Sequence, residues 1–196
     1  MWHSHATLTS SEHEDAVMPV IKTSTNLLIA LMLLVITACS QSYELDRDIV
    51  GQAQVLNLSE PEGQILASGQ PTEEQLRLLA DAGVMHVINL RPVAEQEWDE
   101  EALATELNMQ YYSIPVAGSA GVTRENAQSL FDLLARLEGQ PALVHCASSN
   151  RVGALVAISA VQSDGIELES AIVEGQRWGL TSPRLEEAVR GVLAAN

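Results

Sequence analysis

The run His145-Cys146-Ala147-Ser148-Ser149-Asn150-Arg151 places four residues between a thiol and a guanidinium, after the apolar Ala142-Leu143-Val144 and before the apolar Gly153-Ala154-Leu155-Val156-Ala157-Ile158. A strand handing over to a helix through so short a loop brings the loop N–H groups and the helix N-terminus to one point. Such a point binds an anion and stabilises a thiolate. Cys146 is then the candidate nucleophile and Arg151 a planar, bidentate anion clamp, with Ala147, Ser148, Ser149, Asn150 and Val152 completing the cradle. The competing reading is a buried cysteine beside a surface arginine. His145 either orients the loop and helps hold the thiolate or is a core histidine. No cluster has the spacing of a metal site and no glycine-rich nucleotide loop occurs, so no cofactor is expected.

The elements that must position this loop follow from periodicity and punctuation. Val55–Leu58 and Ile65–Ala67 read as two strands around the turn residues Glu60-Pro61-Glu62-Gly63. Thr72-Glu73-Glu74-Gln75 is a capping box, followed by Leu76, Leu79 and Ala80 at helical spacing and a stop at Gly83. Val84–Leu90 is a mostly apolar run limited by Pro92, as expected of a strand covered on both faces. The acid-rich Glu95–Leu107 stretch reads as a helix, Tyr111–Val116 as the next strand and Gly118–Gly121 as a loop. Ala127, Leu130, Phe131, Leu134 and Leu137 mark one helix face, ended by Gly139. Ile172–Leu180 and Leu185–Leu193 supply two more helices. Alternating strands and helices predict an α/β fold with a mainly parallel central sheet flanked by helices, and a ligand at the carboxyl ends of its strands.

Other residues carry weaker expectations. Arg91 either lines the same cleft or pairs with the acidic 95–101 stretch, and Gly69-Gln70-Pro71 is turn and helix-entry chemistry. Trp98 and Trp178 read as packing or rim residues.

Ahead of the domain, residues 27–38 are almost uninterruptedly apolar, too short to span a bilayer and preceded by Lys22, the layout of an export signal. They end in Ile36-Thr37-Ala38-Cys39, which resembles the lipobox of bacterial lipoproteins, with Cys39 the lipidated residue; the alternatives are a plain signal peptide with a chance cysteine and an uncleaved anchor. Residues 1–17, with His3, His5 and His13 among acids, do not look like the start of a signal, so Met18 is the expected true start. The organisation expected is residues 1–38 as extension and signal, 39–52 as a lipidated tether and 53–196 as one domain. Ser40 and Gln41 follow the cysteine where an aspartate often retains lipoproteins at the inner membrane, which points to the outer membrane, facing the periplasm. From Cys39 onward there are 23 acidic residues and nine arginines, a formal charge of −14. That field disfavours nucleic acid and anionic headgroups, so any bound anion needs a local device.

From about Val55 to its C-terminus the chain resembles the cysteine-dependent phosphatases of the dual-specificity and tyrosine type, and more closely the phosphatase-like domain also found joined to β-lactamase-type hydrolases. Besides the cysteine loop, the carriers are Ala67-Ser68-Gly69-Gln70-Pro71, Val87-Ile88-Asn89-Leu90-Arg91-Pro92, Ile114-Pro115-Val116 and Ala171-Ile172-Val173-Glu174-Gly175-Gln176. The resemblance implies a phosphocysteine on Cys146, with Arg151 and loop amides holding the phosphoryl oxygens, and a phosphorylated protein or small phosphoester as substrate.

Three departures are visible. Phosphatase loops place five residues between cysteine and arginine, where this chain has four, the spacing of rhodanese-type sulfurtransferases that carry a cysteine persulfide. Ala117–Arg124 lacks the usual general-acid carboxylate, for which Glu95, Glu97, Asp99 or Glu125 are the available substitutes. Val152 and Ser149 stand where a hydroxyl residue and a glycine are common. A sulfurtransferase with a sulfur donor and a non-catalytic anion-binding module are therefore kept as alternatives.

Overall fold

The computed structural model describes residues 43–195; the signal segment, Cys39 and the rest of the expected tether up to residue 42 lie outside them. Five strands and seven α-helices follow one another as α1 (Arg47–Ala53), β1 (Ser59–Glu62), β2 (Ile65–Ser68), α2 (Glu73–Asp81), β3 (His86–Asn89), a 3₁₀ turn (Val93–Glu95), α3 (Glu100–Glu106), β4 (Gln110–Ser113), α4 (Arg124–Arg136), β5 (Ala142–His145), α5 (Asn150–Asp164), α6 (Leu168–Arg177) and α7 (Pro183–Ala194). The sheet order is β1-β2-β5-β3-β4, with β1 antiparallel to β2 and the other pairs parallel. This is the predicted α/β architecture.

Alternation along the strands sends side chains to two separate cores. Ile65, Ala67, Ile88, Ala142 and Val144 face one core with α4, α5, α6 and α7, whereas Leu66, Val87 and Leu143 face the other with α1, α2 and α3. Register does the rest. Ser68, His145, Asn89 and Ser113 are aligned across the four parallel-paired strands, so the chain leaves each at the same edge of the sheet.

Several expectations are corrected. Residues 47–53 are a helix packed into the domain: Leu45, Val50 and Ala53 are buried, and Asp46 caps the helix by accepting from Asp48 N at 3.0 Å and Ile49 N at 3.1 Å. The domain therefore begins upstream of residue 53, because tertiary packing holds a helix too short to persist alone. The first strand is Ser59–Glu62 rather than Val55–Leu58; it carries Pro61 at the sheet edge, where no ladder donor is required. Glu95–Leu107 is not one helix, since Asp99 accepts from Ala102 N at 3.0 Å and starts α3 afresh. Phe131, expected on the buried face of α4, is exposed. The capping box at Thr72, by contrast, is present with both of its reciprocal bonds.

The tightest packing lies between α5 and α6. A Cβ at Gly153 would sit 2.2 Å from the Gly175 carbonyl oxygen, and one at Gly175 would sit 2.6 Å from that of Gly153. Because both obstructions are backbone, no side-chain rotation relieves them. Gly153→Ala is expected to destabilise the domain by about 1–3 kcal/mol or more, read as a lower denaturant midpoint with an unchanged slope.

Candidate active site

Cys146 follows β5, the central strand of the sheet, and its side chain is buried on the α5 side. The chain then reverses into α5 through Ala147, Ser148 and Ser149. Ser149 adopts φ +64°, a left-handed conformation that costs a non-glycine residue roughly 1 kcal/mol. Its buried hydroxyl donates to the Trp178 carbonyl at 2.9 Å, a bond that offsets much of that cost. The contact needs Gly179, where a Cβ would lie 2.5 Å from Ser149 Oγ and φ is +97°.

The first helical bond of α5 runs from Gly153 N to Ser149 O, which leaves the N–H groups of Asn150, Arg151 and Val152 without intrahelical acceptors at the loop. The Val152 side chain is buried in the core, so only its backbone is available to the cradle. Asn150 ties the loop to the start of α7: its Oδ1 accepts from Thr181 N at 2.7 Å and Ser182 N at 2.6 Å. On the other side Gly69 packs against the loop, where a Cβ would stand 3.0 Å from the Ala147 carbonyl oxygen, and Asn57 Nδ2 donates to Ser148 O at 3.1 Å. Gly69 is thus a close-approach glycine as well as part of the entry to α2.

Arg151 is buried and points at the same place. Its Nη1 donates to Val116 O at 2.7 Å and Glu95 Oε1 at 3.1 Å, and its Nη2 to Glu95 Oε2 at 2.7 Å. Burial works against the charged guanidinium, but the Glu95 carboxylate and the Cys146 sulfur outweigh it and raise the Arg151 pKa above its ordinary value. Of the carboxylates considered as general acids, Glu95 alone bonds Arg151; Glu97 and Glu125 are exposed, and Asp99 is the helix cap. Arg91 supports Glu95 by donating to its carbonyl, with Nε 3.9 Å from its carboxylate, and donates to Gln70 Oε1 at 2.7 Å. The ion-pair reading of Arg91 is the one the geometry supports.

Glu100, fully buried beneath the loop, was not singled out by the sequence reading. Its carboxylate accepts from Asn89 Nδ2 at 2.5 Å and Gln70 Nε2 at 3.1 Å, and lies 3.2 Å from His145 Nε2. His145 is fully buried; its ring makes no hydrogen bond to the loop, so its polar neighbour is Glu100. Glu100, Leu103, Ala104 and Leu107 share one helical stripe, and an acid inside an apolar stripe was the available signal.

Glu95, Ala147, Ser148, Asn150, Arg151 and Arg184 line a cleft of about 240 Å³. A larger cleft of about 520 Å³, bordered by Phe131, Val156 and Trp178, is mainly apolar.

A family model described as the Swiss Army Knife protein, DSP-PTPase phosphatase domain, matches residues 54–165. The chain belongs to that phosphatase family. The match spans the hairpin, the cysteine loop and all of α5. Two Xylella fastidiosa proteins, each named beta-lactamase hydrolase-like protein, are 29% identical over 60% of this chain and 31% of their own length. The chain thus spans about a third of these curated relatives. A Shewanella putrefaciens CN-32 protein of the DUF442 group is similar at 26% identity and a TM-score of 0.57, covering 75% of this chain and 96% of that one. P. aeruginosa TpbA, solved with pTyr, is 20% identical with a TM-score of 0.53 over 71% of this chain and 84% of its own, which shows the shared fold.

In this phosphatase domain the loop rests on a polar layer whose outer member is Tyr111, which accepts from Asn89 Nδ2 at 3.0 Å. Burial raises the Tyr111 pKa; the Asn89 bond opposes this, while Glu100, Glu101 and Asp99 add to the rise. An unfolded tyrosine titrates near 10.0, so just above that pH the unfolded chain releases a proton that the folded one keeps, and stability falls. Denaturant unfolding from about pH 9 to 11 is expected to show this decline, and Tyr111→Phe to flatten it.

Proposed function

We propose that the chain hydrolyses phosphate monoesters through a phosphocysteine on Cys146. The observation that carries this reading is the Arg151 fork, which interacts with the buried Cys146 sulfur and lines the cleft at the first turn of α5, where the backbone N–H groups have no intrahelical acceptors. Arg151 and the Ala147–Val152 backbone hold the phosphoryl oxygens while the Cys146 thiolate attacks phosphorus and the ester P–O bond breaks. The leaving oxygen takes up a proton, and water then attacks phosphorus, breaking the S–P bond and returning the thiolate. Glu95 bonds Arg151 in competition with substrate oxygens, and is the carboxylate at hand to handle either proton.

The loop from Ala117 to Arg124 brings no carboxylate, so leaving-group protonation is weakly assisted. Aryl phosphates, whose leaving groups need little help, are the preferred substrates. The four-residue spacing favours a second reading, sulfur transfer through a Cys146 persulfide, which needs no acid. Purified domain is expected to release phosphate from an aryl phosphate, to lose this by at least about 10³-fold in Cys146→Ser, and to cleave an alkyl phosphate about 10²-fold more slowly. Sulfur release from thiosulfate to cyanide without phosphate release would overturn the phosphatase chemistry.

The lipobox-like Ile36-Thr37-Ala38-Cys39 supports a membrane anchor through lipid on Cys39, with the domain in the periplasm beneath the outer membrane. Among the described residues no helix is long and apolar enough to cross a membrane. Cys39→Ser is expected to move the protein from the membrane fraction to the soluble periplasmic fraction after cell fractionation; retention in the membrane would argue against the lipid.

A further inference from the structure

Two arginines among the described residues have no side-chain partner, Arg136 and Arg184; the others are ion-paired or, for Arg124, bonded to backbone carbonyls. Arg136 lies in the last turn of α4, where the helix dipole favours a cation. Arg184 lies in the first turn of α7, a twelve-residue helix, where the dipole opposes one. Glu186 in the same turn gives its carboxylate to Arg190 at 2.9 Å and leaves Arg184 uncompensated. An exposed cation set against a helix dipole, unpaired in a chain of net charge −16, breaks a local rule in the manner of functional positions.

Its location gives the rule-breaking a use. Arg184 lines the cleft of about 240 Å³ that also holds Arg151, Ser148 and Asn150. The start of α7 is fixed to the cysteine loop by Asn150, the residue beside Arg151, through its two backbone acceptances from Thr181 and Ser182. The backbone that carries Arg184 therefore keeps a set place relative to the phosphoryl cradle. Arg151 is already engaged by Glu95 and Val116, whereas Arg184 has its whole fork available.

Resting on the phosphatase reading, we propose that Arg184 is a second anion-binding position and that the preferred substrates are phosphate esters whose leaving group carries a further anionic group, a carboxylate or a second phosphate. The cradle at Cys146 takes the phosphoryl group being transferred, and Arg184 pairs with the anion beyond it. In so acidic a protein a doubly anionic ester would otherwise be repelled on approach.

The test compares phenyl phosphate, 3-carboxyphenyl phosphate and 1,3-phenylene bisphosphate on the full chain. The kcat/KM of each charged ester relative to phenyl phosphate is expected to exceed one, to fall about fivefold in Arg184→Ala, and to drop below one in Arg184→Glu. Arg184→Lys retains part of the preference, Arg136→Ala all of it, and raised salt weakens it. The larger of the two ratios identifies the anion preferred. Ratios unchanged by Arg184→Ala and Arg184→Glu would overturn the proposal. Should none of the three esters be hydrolysed, the phosphatase reading fails by itself. Protection of Cys146 from iodoacetamide by the same compounds then reads the subsite without turnover. Arg184-dependent protection by the charged esters would uphold it, and equal protection by all three would refute it.

Discussion

The reversal between β5 and α5 is the constraint on which the site depends. Three residues after Cys146 must turn the chain from the centre of a parallel sheet into a helix whose first N–H groups face back toward the sulfur. One of them must take a left-handed conformation, and it is Ser149 rather than a glycine. Its strain of roughly 1 kcal/mol is met by a buried hydrogen bond of similar net worth to Trp178 O. The serine thereby joins the cysteine loop to the end of α6. Asn150 joins it to the start of α7 and Gly69 brings the β2–α2 connection against it, so three separate segments hold a short loop in place.

Beneath that loop lies a polar layer inside a largely apolar core. Asn89 and His145, paired across β3 and β5, both turn toward Glu100 from α3, and Gln70 reaches the same carboxylate. A buried carboxylate is tolerated only when its oxygens are occupied, and here each accepts at least one hydrogen bond. Gln70 passes the contact on to Arg91, and Arg91 to Glu95, so the layer below the loop continues into the carboxylate that faces Arg151.

Anion binding in so acidic a protein rests on local geometry. Arg151 keeps its charge despite burial because Glu95 and the Cys146 sulfur outweigh the loss of water around it. Glu95 also competes for the fork that a phosphoryl group would take, so affinity at the cradle reflects an exchange of one anionic partner for another. The N–H groups at the start of α5, which have no intrahelical acceptors, add an attraction of their own.

The loop and most of the framework are legible in the order of residues alone. The Cys146–Arg151 spacing, the strand-to-helix handover, the capping box at Thr72 and the apolar runs of β3 and β5 are short-range patterns, and short-range patterns specify local conformation directly. The helix at Arg47–Ala53 and the edge strand carrying Pro61 were not legible, because each forms only against partners distant in the chain. Which carboxylates matter depends on contacts between elements distant in the chain. Glu95, Glu97, Asp99 and Glu100 stand in one acidic stretch, yet Asp99 restarts the helix, Glu100 turns under His145, and Glu95 is carried to Arg151. The reason is that a side chain's partners depend on where separate elements meet. That in turn follows from the register aligning Ser68, Asn89, Ser113 and His145 at one edge of the sheet.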